Sequence, residues 1–270
     1  MSVRITILVD NYASMPISLR ARLLAEWGFS AYLHEPRILF DTGLSGYALI
    51  NNARALGIDP DEPEYLVLSH RHLDHTGGVI KFLGVRSRPL KIVAHENLFA
   101  RAISADEKGT IDVGVNFTNE DLRRRNVELI LIRDPYSLPG GVVVSGEIPR
   151  KWGPSHAGGV GDAVPDDMAL YIDTPRGLVI LTGCGHSGPE NIVEYGLQLT
   201  GAESIRAIIG GLHFMGLDED RMGEAADYLA SKKPELVVGT HCTGIVGQAV
   251  IWERMRNSFA LGGVGASFEI

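Results

Sequence analysis

Apolar, largely β-branched residues fall in short runs along this chain: Ile5 to Val9, Ala31 to His34, Ile38 to Phe40, Tyr65 to Leu68, Leu90 to Ala94, Val127 to Ile132, Val142 to Ser145, Ala169 to Ile172, Leu178 to Leu181, Ala207 to Ile209 and Leu236 to Val238. Runs of this length and composition predict strands. Between several of them the apolar spacing lengthens to three and four, which predicts helices over Tyr47 to Leu56, Asn191 to Leu199, Arg221 to Leu229 and Val246 to Met255. Strands interleaved with helices indicate an α/β layered protein rather than an all-β sandwich. "FDTG" and "PRG" mark tight turns. The Gly- and Pro-rich stretch from Ser145 to Asp167 is expected to form a long loop that covers a site.

Composition narrows the picture. A chain of 270 residues that is 45% hydrophobic can fill a large core, and one domain over residues 1–270 is expected. The net charge of −8 argues against a nucleic-acid-binding surface, and the one basic run, Arg123 to Arg125, reads as a solvated helix end. Nowhere do eighteen apolar residues run together, so no membrane span is expected. The opening "MSVRITILVDN" alternates like a strand and does not resemble a secretion signal. Two cysteines, Cys184 and Cys242, are too few for a disulfide framework and suit a reducing, cytoplasmic setting. A homodimer fits a chain of this size.

The chemistry concentrates in "LSHRHLDHTGG", where His70, His72, Asp74 and His75 occupy six residues straight after an apolar run. On a strand, residues two apart face the same way, so His70 and His72 can converge on one point while Asp74 and His75 in the turn reach a second. That pattern suits two metal ions better than one, and mixed imidazole and carboxylate donors favour zinc, iron or manganese. Further donors are needed, and at least one open position for water or substrate. They stand after three later apolar runs: Cys184 and His186 in "VILTGCGHSG", His213 in "AIIGGLHF", and His241 with Cys242 in "LVVGTHCTG". His34 and His95 lack such companions and are expected to be structural; His156 lies in the long loop and could approach the site if that loop closes.

"HRHLDH" matches the His-x-His-x-Asp-His signature of the metallo-β-lactamase superfamily. That resemblance implies a four-layered αββα sandwich with a binuclear metal site along one edge of its two sheets. The ordered set "LVDN", "EWGFSAYL", "ILFDTG", "ALGID", "LSHRHLDHTGG", "SGEIPR", "LTGCGHSG", "GGLHF" and "THCTG" is similar to the branch related to an archaeal synthase. That synthase joins a dihydropterin to ribofuranosylaminobenzene phosphate in methanopterin biosynthesis.

Carried over residue by residue, the resemblance implies that His70, His72 and His186 ligate one ion, with Asp74, His75 and His241 around the second. Zinc is expected first, with iron or manganese as alternatives. Two departures stand out. Where the hydrolases of the superfamily have "TGD", this chain has "TGC", leaving Cys184 as either a thiolate ligand or a small buried residue. The third histidine follows that strand instead of preceding it, so the turn must carry His186 back; otherwise Glu147, Asp166 or Asp167 would substitute. Asp74 and His213 are the expected catalytic residues, His213 alternatively being a ligand or supporting one. Arg150, Lys151 and Arg71 are the candidates for phosphate contact, with Asp10 and Asn11 on the same edge.

The implied reaction is transfer: the ions hold the diphosphate of an activated dihydropterin while the aromatic second substrate attacks the exposed methylene. Hydrolysis of a phosphoester, thioester or lactone is the enzymatic alternative, and a non-catalytic metal or redox protein using Cys184 and Cys242 is the other. In either enzymatic case the partner is a small molecule, expected to be phosphorylated.

Overall fold

A computed structural model describes residues 3–14, 22–106, 109–156 and 162–270. The apolar runs assemble into two sheets. The first runs in the order β15 (Ser267–Glu269), β1 (Arg4–Val9), β2 (Ser30–Leu33), β3 (Ile38–Phe40), β4 (Tyr65–Val67), β5 (Leu90–His95) and β8 (Val127–Ile132). The second runs β14 (Leu236–Gly239), β13 (Ile205–Gly210), β12 (Gly177–Thr182), β11 (Ala169–Thr174), β10 (Val142–Val144) and β9 (Tyr136–Leu138). Both sheets are mixed: β3, β4, β5 and β8 are parallel neighbours, as are β12, β13 and β14, and the remaining pairs are antiparallel.

Every predicted strand is present, and most are buried on both faces; β8, at the sheet edge with Glu128 and Leu131 exposed, is the exception. Side-chain alternation explains the layers. In β12, Val179 and Leu181 join Ile5, Ile7, Ile38 and Phe40 in the core between the sheets. Leu178 and Ile180 point the other way, onto helices α5 (Pro189–Thr200), α6 (Glu219–Ser231) and α7 (Gly244–Arg254) through Ile192, Met222, Leu229 and Ile251. The outer face of the first sheet is covered likewise, with Tyr32, Leu39 and Leu66 against Leu49 of α1 (Tyr47–Ala55) and Phe82 of α3 (Val79–Gly84). The result is four layers, αββα. Each fully buried leucine or isoleucine here contributes about 1.5–3 kcal/mol.

The four predicted helices correspond to α1, α5, α6 and α7, and their ends have local causes. Pro189 opens α5 and Gly201, in the left-handed region, closes it. The Asp218 carboxylate caps α6 by accepting from the Arg221 amide. Helix α4 (Asn119–Arg123) ends at the basic run read as a helix end, and α3 opens directly after Gly77 and Gly78; α2 (Leu73–Thr76), β9, β15 and the hairpin β6 (Ile103–Asp106) with β7 (Gly109–Asp112) were not predicted. Residues 145–156 and 162–167 form the described part of the long Gly- and Pro-rich segment and contain neither strand nor helix; residues 157–161 lie outside the described set. Residues 1–2 of the predicted opening strand also lie outside it. Among the described residues, no helix is long and apolar enough to cross a membrane.

Candidate metal centre

The strands β3, β4, β12, β13 and β14 all deliver their carboxyl ends to one edge of the sandwich, where ligand sites of parallel sheets are built. Asp41 follows β3, His70 and His72 follow β4, Cys184 and His186 follow β12, His213 follows β13 and His241 follows β14. Their donor atoms fall into two groups: His70, His72 and His186 in one, Asp74, His75, Cys184 and His241 in the other. Atoms within each group lie within 4.8 Å of one another. The rings of His70 and His75, one from each group, are 4.3 Å apart at their centroids, so the two groups adjoin.

The turn after β12 does carry His186 back. Gly185 adopts a φ of 72°, and a Cβ there would lie 2.8 Å from the Gly211 carbonyl, so glycine is required. Three site residues that are not glycine also sit in the left-handed region: Asp41 at φ 57°, His213 at 49° and His241 at 46°. Strained backbone of this kind persists where the surroundings over-determine it.

Each of the five grouped imidazoles has one nitrogen held by the protein. His75 Nδ1 donates to Asp41 Oδ2 at 2.7 Å, and His72 Nε2 donates to Asp162 Oδ2 at 3.0 Å. His186 Nδ1 donates to the His156 carbonyl at 3.2 Å, and His241 Nδ1 to Asn11 Oδ1 at 3.0 Å. His70 Nδ1 donates to Ser69 Oγ at 2.9 Å, and that hydroxyl donates onward to Asp41 Oδ2 at 2.7 Å. These directions follow from the partners, which are acceptors in each case.

The opposite nitrogens of His70, His186 and His241 are buried with no hydrogen-bond partner. Buried polar atoms in native proteins are almost always satisfied, and an orphaned imidazole lone pair among other donors is what a metal ion would fill. The donor set therefore fits two ions, consistent with a binuclear metal centre.

Charge within the centre is polarised. Burial and the neighbouring imidazoles hold His70 and His186 well below the usual histidine range. Burial alone would lower His75 too, but Asp74 and Asp41 beside it raise it to about 9. Burial opposes ionisation of Asp74, yet His75 and His241 hold it far below the usual carboxylate range. Cys184 Sγ lies 3.0 Å from His75 Nε2, and burial, with Cys242 close by, pushes its thiol well up.

A cleft of about 420 Å³ opens over the two groups. His72, Asp74, Cys184, His186 and His241 line it, with His213 and Cys242, while Trp27, Leu44, Leu73, Ile103, Ile111 and Val113 supply apolar walls. The hairpin β6–β7 is tied to the metal motif by the Leu73 amide, which donates to the Val113 carbonyl at 2.7 Å. A hollow of about 430 Å³ between Glu62, Arg86 and Asn126 contains none of the donor residues.

Other predicted residues take different places. His213 belongs to neither group; its ring lies 4.4 Å from that of His186, and burial lowers it to about 4. Arg71, expected at a phosphate, is instead buried, its guanidinium paired with Asp162 at 2.5 Å and with Asp166. Arg150 donates to the carbonyls of Ala163 and Val164, and Lys151 lies over the Trp152 ring, 5.7 Å from its centroid. Neither lines the cleft.

Asp10 and Asn11 support His241 rather than face the cleft: Asp10 Oδ1 accepts the His241 amide at 2.9 Å, and burial raises its carboxyl to about 6. Glu147 pairs with Arg133 at 3.0 Å, Asp166 with Arg71, and Asp167 accepts the Ser187 amide; none of the three belongs to either donor group. His34 is bonded to Arg4 and Thr6, and His95 accepts the Asn97 amide, as structural residues do. His156 is buried and reaches the centre through its carbonyl, not its ring. Asp41, Ser69, Asp162 and Trp27 were not predicted. Asp41 lies in "ILFDTG" and Trp27 in "EWGFSAYL", but nothing in their spacing announces a partner in the metal motif.

The family model described as the metallo-beta-lactamase superfamily matches residues 31–241. The chain is 28% identical over 237 residues to the 7,8-dihydropterin-6-methyl-4-(beta-D-ribofuranosyl)-aminobenzene-5'-phosphate synthase of Methanocaldococcus jannaschii, covering 83% of this chain and 81% of that one. It is 31% identical over 271 residues to an uncharacterised protein of the same organism, covering 97% and 98%. Among solved structures it resembles Tm1679, described as a metal-dependent hydrolase of the beta-lactamase superfamily, with a TM-score of 0.82, 24% identity and 99% of each chain covered.

Proposed function

The chain belongs to the metallo-beta-lactamase superfamily and is a metal-dependent enzyme of that fold, and from this premise we propose a synthase-like transferase that condenses a dihydropterin diphosphate with ribofuranosylaminobenzene phosphate. In this reading His70, His72 and His186 hold one divalent ion, and Asp74, His75, His241 and Cys184 hold the other. Zinc suits this mixture of imidazole, carboxylate and thiolate, with iron or manganese as alternatives. Bound there, two ions supply electrostatic neutralisation of a diphosphate leaving group.

The observation that carries the reading is the cleft itself. Among the described residues its lining away from the donors is mostly apolar and includes no lysine or arginine, so neutralisation of a diphosphate would fall to the ions. An electrophilic methylene exposed by a departing diphosphate is open to attack by water, and in this reading the two flat rings lie against the apolar side chains of Trp27, Leu44, Leu73, Ile103 and Ile111 that line the cleft. The amino group of the second substrate then forms the new C–N bond as the C–O bond to diphosphate breaks. His213, held neutral at pH 7 by its lowered pKa, stands at the cleft to accept the amine proton. The 28% identity to a synthase of this class over most of the chain adds support.

The test is to mix metal-loaded protein with both substrates without oxygen and to seek the condensed product by mass spectrometry. Product that disappears in the Asp74→Asn variant supports the transferase. Its absence, from protein holding about two ions per chain, refutes the transferase and leaves hydrolysis of a phosphoester, thioester or lactone.

A further inference from the structure

Three consecutive residues of the β1–β2 connection close on Asp74. The Trp27 indole Nε1 donates to Asp74 Oδ2 at 2.9 Å. Gly28, at φ 135°, packs so closely that a Cβ would stand 2.3 Å from the Asp74 carbonyl oxygen. The Phe29 amide donates to that same oxygen at 3.4 Å. Side chain and backbone of one residue are thus gripped by one tripeptide.

The grip is itself anchored. Glu26 binds the Ser45 amide at 3.1 Å and its hydroxyl at 2.5 Å, and the Glu26 amide donates to the Asp10 carbonyl at 3.1 Å. On the other side the Gly43 amide donates to the Phe29 carbonyl at 3.0 Å. Trp27 is therefore held at both flanks although 47% of its surface is exposed. It also lines the cleft over the two donor groups, beside Leu44, Leu73, Ile103 and Ile111, so its ring belongs to the apolar wall that a flat substrate would meet.

The oxygen that Trp27 holds is the one nearest the other donors. Asp74 Oδ2 lies 3.2 Å from His241 Nε2 and 3.8 Å from His75 Nε2. The Trp27 ring also packs edge-on against His241, with centroids 5.1 Å apart. We infer that Trp27 joins the two halves of the site: its indole N–H is the positioning group for Asp74 in the second donor group, and its ring is the platform on which the flat dihydropterin lies. The platform half rests on the proposed function; the positioning half does not.

Two variants separate the halves, since Trp27→Phe keeps an aromatic face without the N–H, and Trp27→Leu lacks both. A chelator-competition titration with zinc resolves the two ions, and Asp74→Asn and His186→Ala identify which step belongs to which group. Trp27→Phe is expected to weaken the step that Asp74→Asn weakens by about tenfold, the lower end of what outer-shell partners contribute. The step that His186→Ala weakens should stay unchanged, as should the melting temperature of the metal-free protein. Equal titrations for Trp27→Phe and the parent overturn the positioning role, as does an equal loss at both steps.

For the platform the probe is 6-hydroxymethyl-7,8-dihydropterin, measured by equilibrium dialysis against the zinc-loaded protein. Trp27→Phe should bind it within about twofold of the parent and Trp27→Leu about tenfold more weakly, the scale of stacking a base on an aromatic ring. Parent-like binding by Trp27→Leu overturns the platform. No binding by the parent overturns the platform and the proposed function together, while the zinc titration still decides the positioning role.

Discussion

Replacing Asp41 with Asn should weaken both metal positions at once, because one carboxylate serves both. Its Oδ1 accepts the Ser69 amide at 2.7 Å; its Oδ2 accepts the Ser69 hydroxyl and His75 Nδ1, both at 2.7 Å. Through Ser69 Oγ it also orients His70. Asn is the informative substitute because it tolerates the left-handed backbone that Asp41 adopts, so backbone strain is not added. An amide, however, has one acceptor where the carboxylate has two. If its carbonyl keeps the Ser69 amide, its NH₂ faces His75 Nδ1, which must surrender its proton and move it to Nε2, the nitrogen needed for the ion. If the amide turns over, His75 keeps its tautomer but the buried Ser69 N–H faces another donor, at a cost of about 1–3 kcal/mol. Loss of an outer-shell carboxylate typically lowers metal affinity about 10–100-fold, equivalent to roughly 1.4–2.7 kcal/mol. The expected outcome is a loss of that size in a chelator-competition zinc titration, or a melting temperature lower by about 2–4 °C for each kcal/mol. Parent-like affinity together with parent-like melting would refute the shared-carboxylate account.

Proton release follows from the same centre. The metal-free protein keeps His75 protonated up to about pH 9 and Cys184 as a thiol, so filling the second group between pH 7 and 9 should expel about two protons. Affinity then rises with pH, as calorimetry in buffers of different ionisation enthalpy would show, and a pH-independent affinity would contradict it. For the metal-free fold the sign reverses: the proton on His75, whose pKa is raised above its unfolded value, stabilises fully below about 6.5 and is lost as pH rises through about 9. Cys184→Ser should cut the release to about one proton and abolish thiolate-to-cobalt absorption in the cobalt-loaded protein; unchanged release would make Cys184 a bystander. His213→Ala should leave both ions bound, since His213 belongs to neither group, while turnover falls by about 10²–10⁴-fold, the range of general base catalysis.

The site is most legible in the sequence where its chemistry is local. His70, His72, Asp74 and His75 share six residues, so the strand period and the turn after β4 suffice to aim them. Cys184, His186 and His241 were visible because each follows an apolar run closed by Gly or Thr, the form a buried parallel strand takes as it reaches a sheet edge. Strands such as β12, apolar on both faces, are legible in the same way, whereas β7, whose four residues are exposed and which pairs only with β6, is not.

What stayed hidden depends on tertiary pairing. Asp41 meets the metal motif only because β3 lies parallel to β4, which sets the Asp41 amide 2.9 Å from the Val67 carbonyl and its carboxylate against Ser69. Asp162 reaches His72 across 90 positions, and Trp27 reaches Asp74 across 47. Arg71 shows the converse. A positive charge inside a metal motif suggests a phosphate contact until the fold buries it between Asp162 and Asp166, where losing one partner would leave an uncompensated buried charge. A ligand's identity is thus written beside its strand, but its protonation state is written wherever the fold supplies its second hydrogen bond. For His75 that place is Asp41, which is why a single amide substitution there should reach both ions.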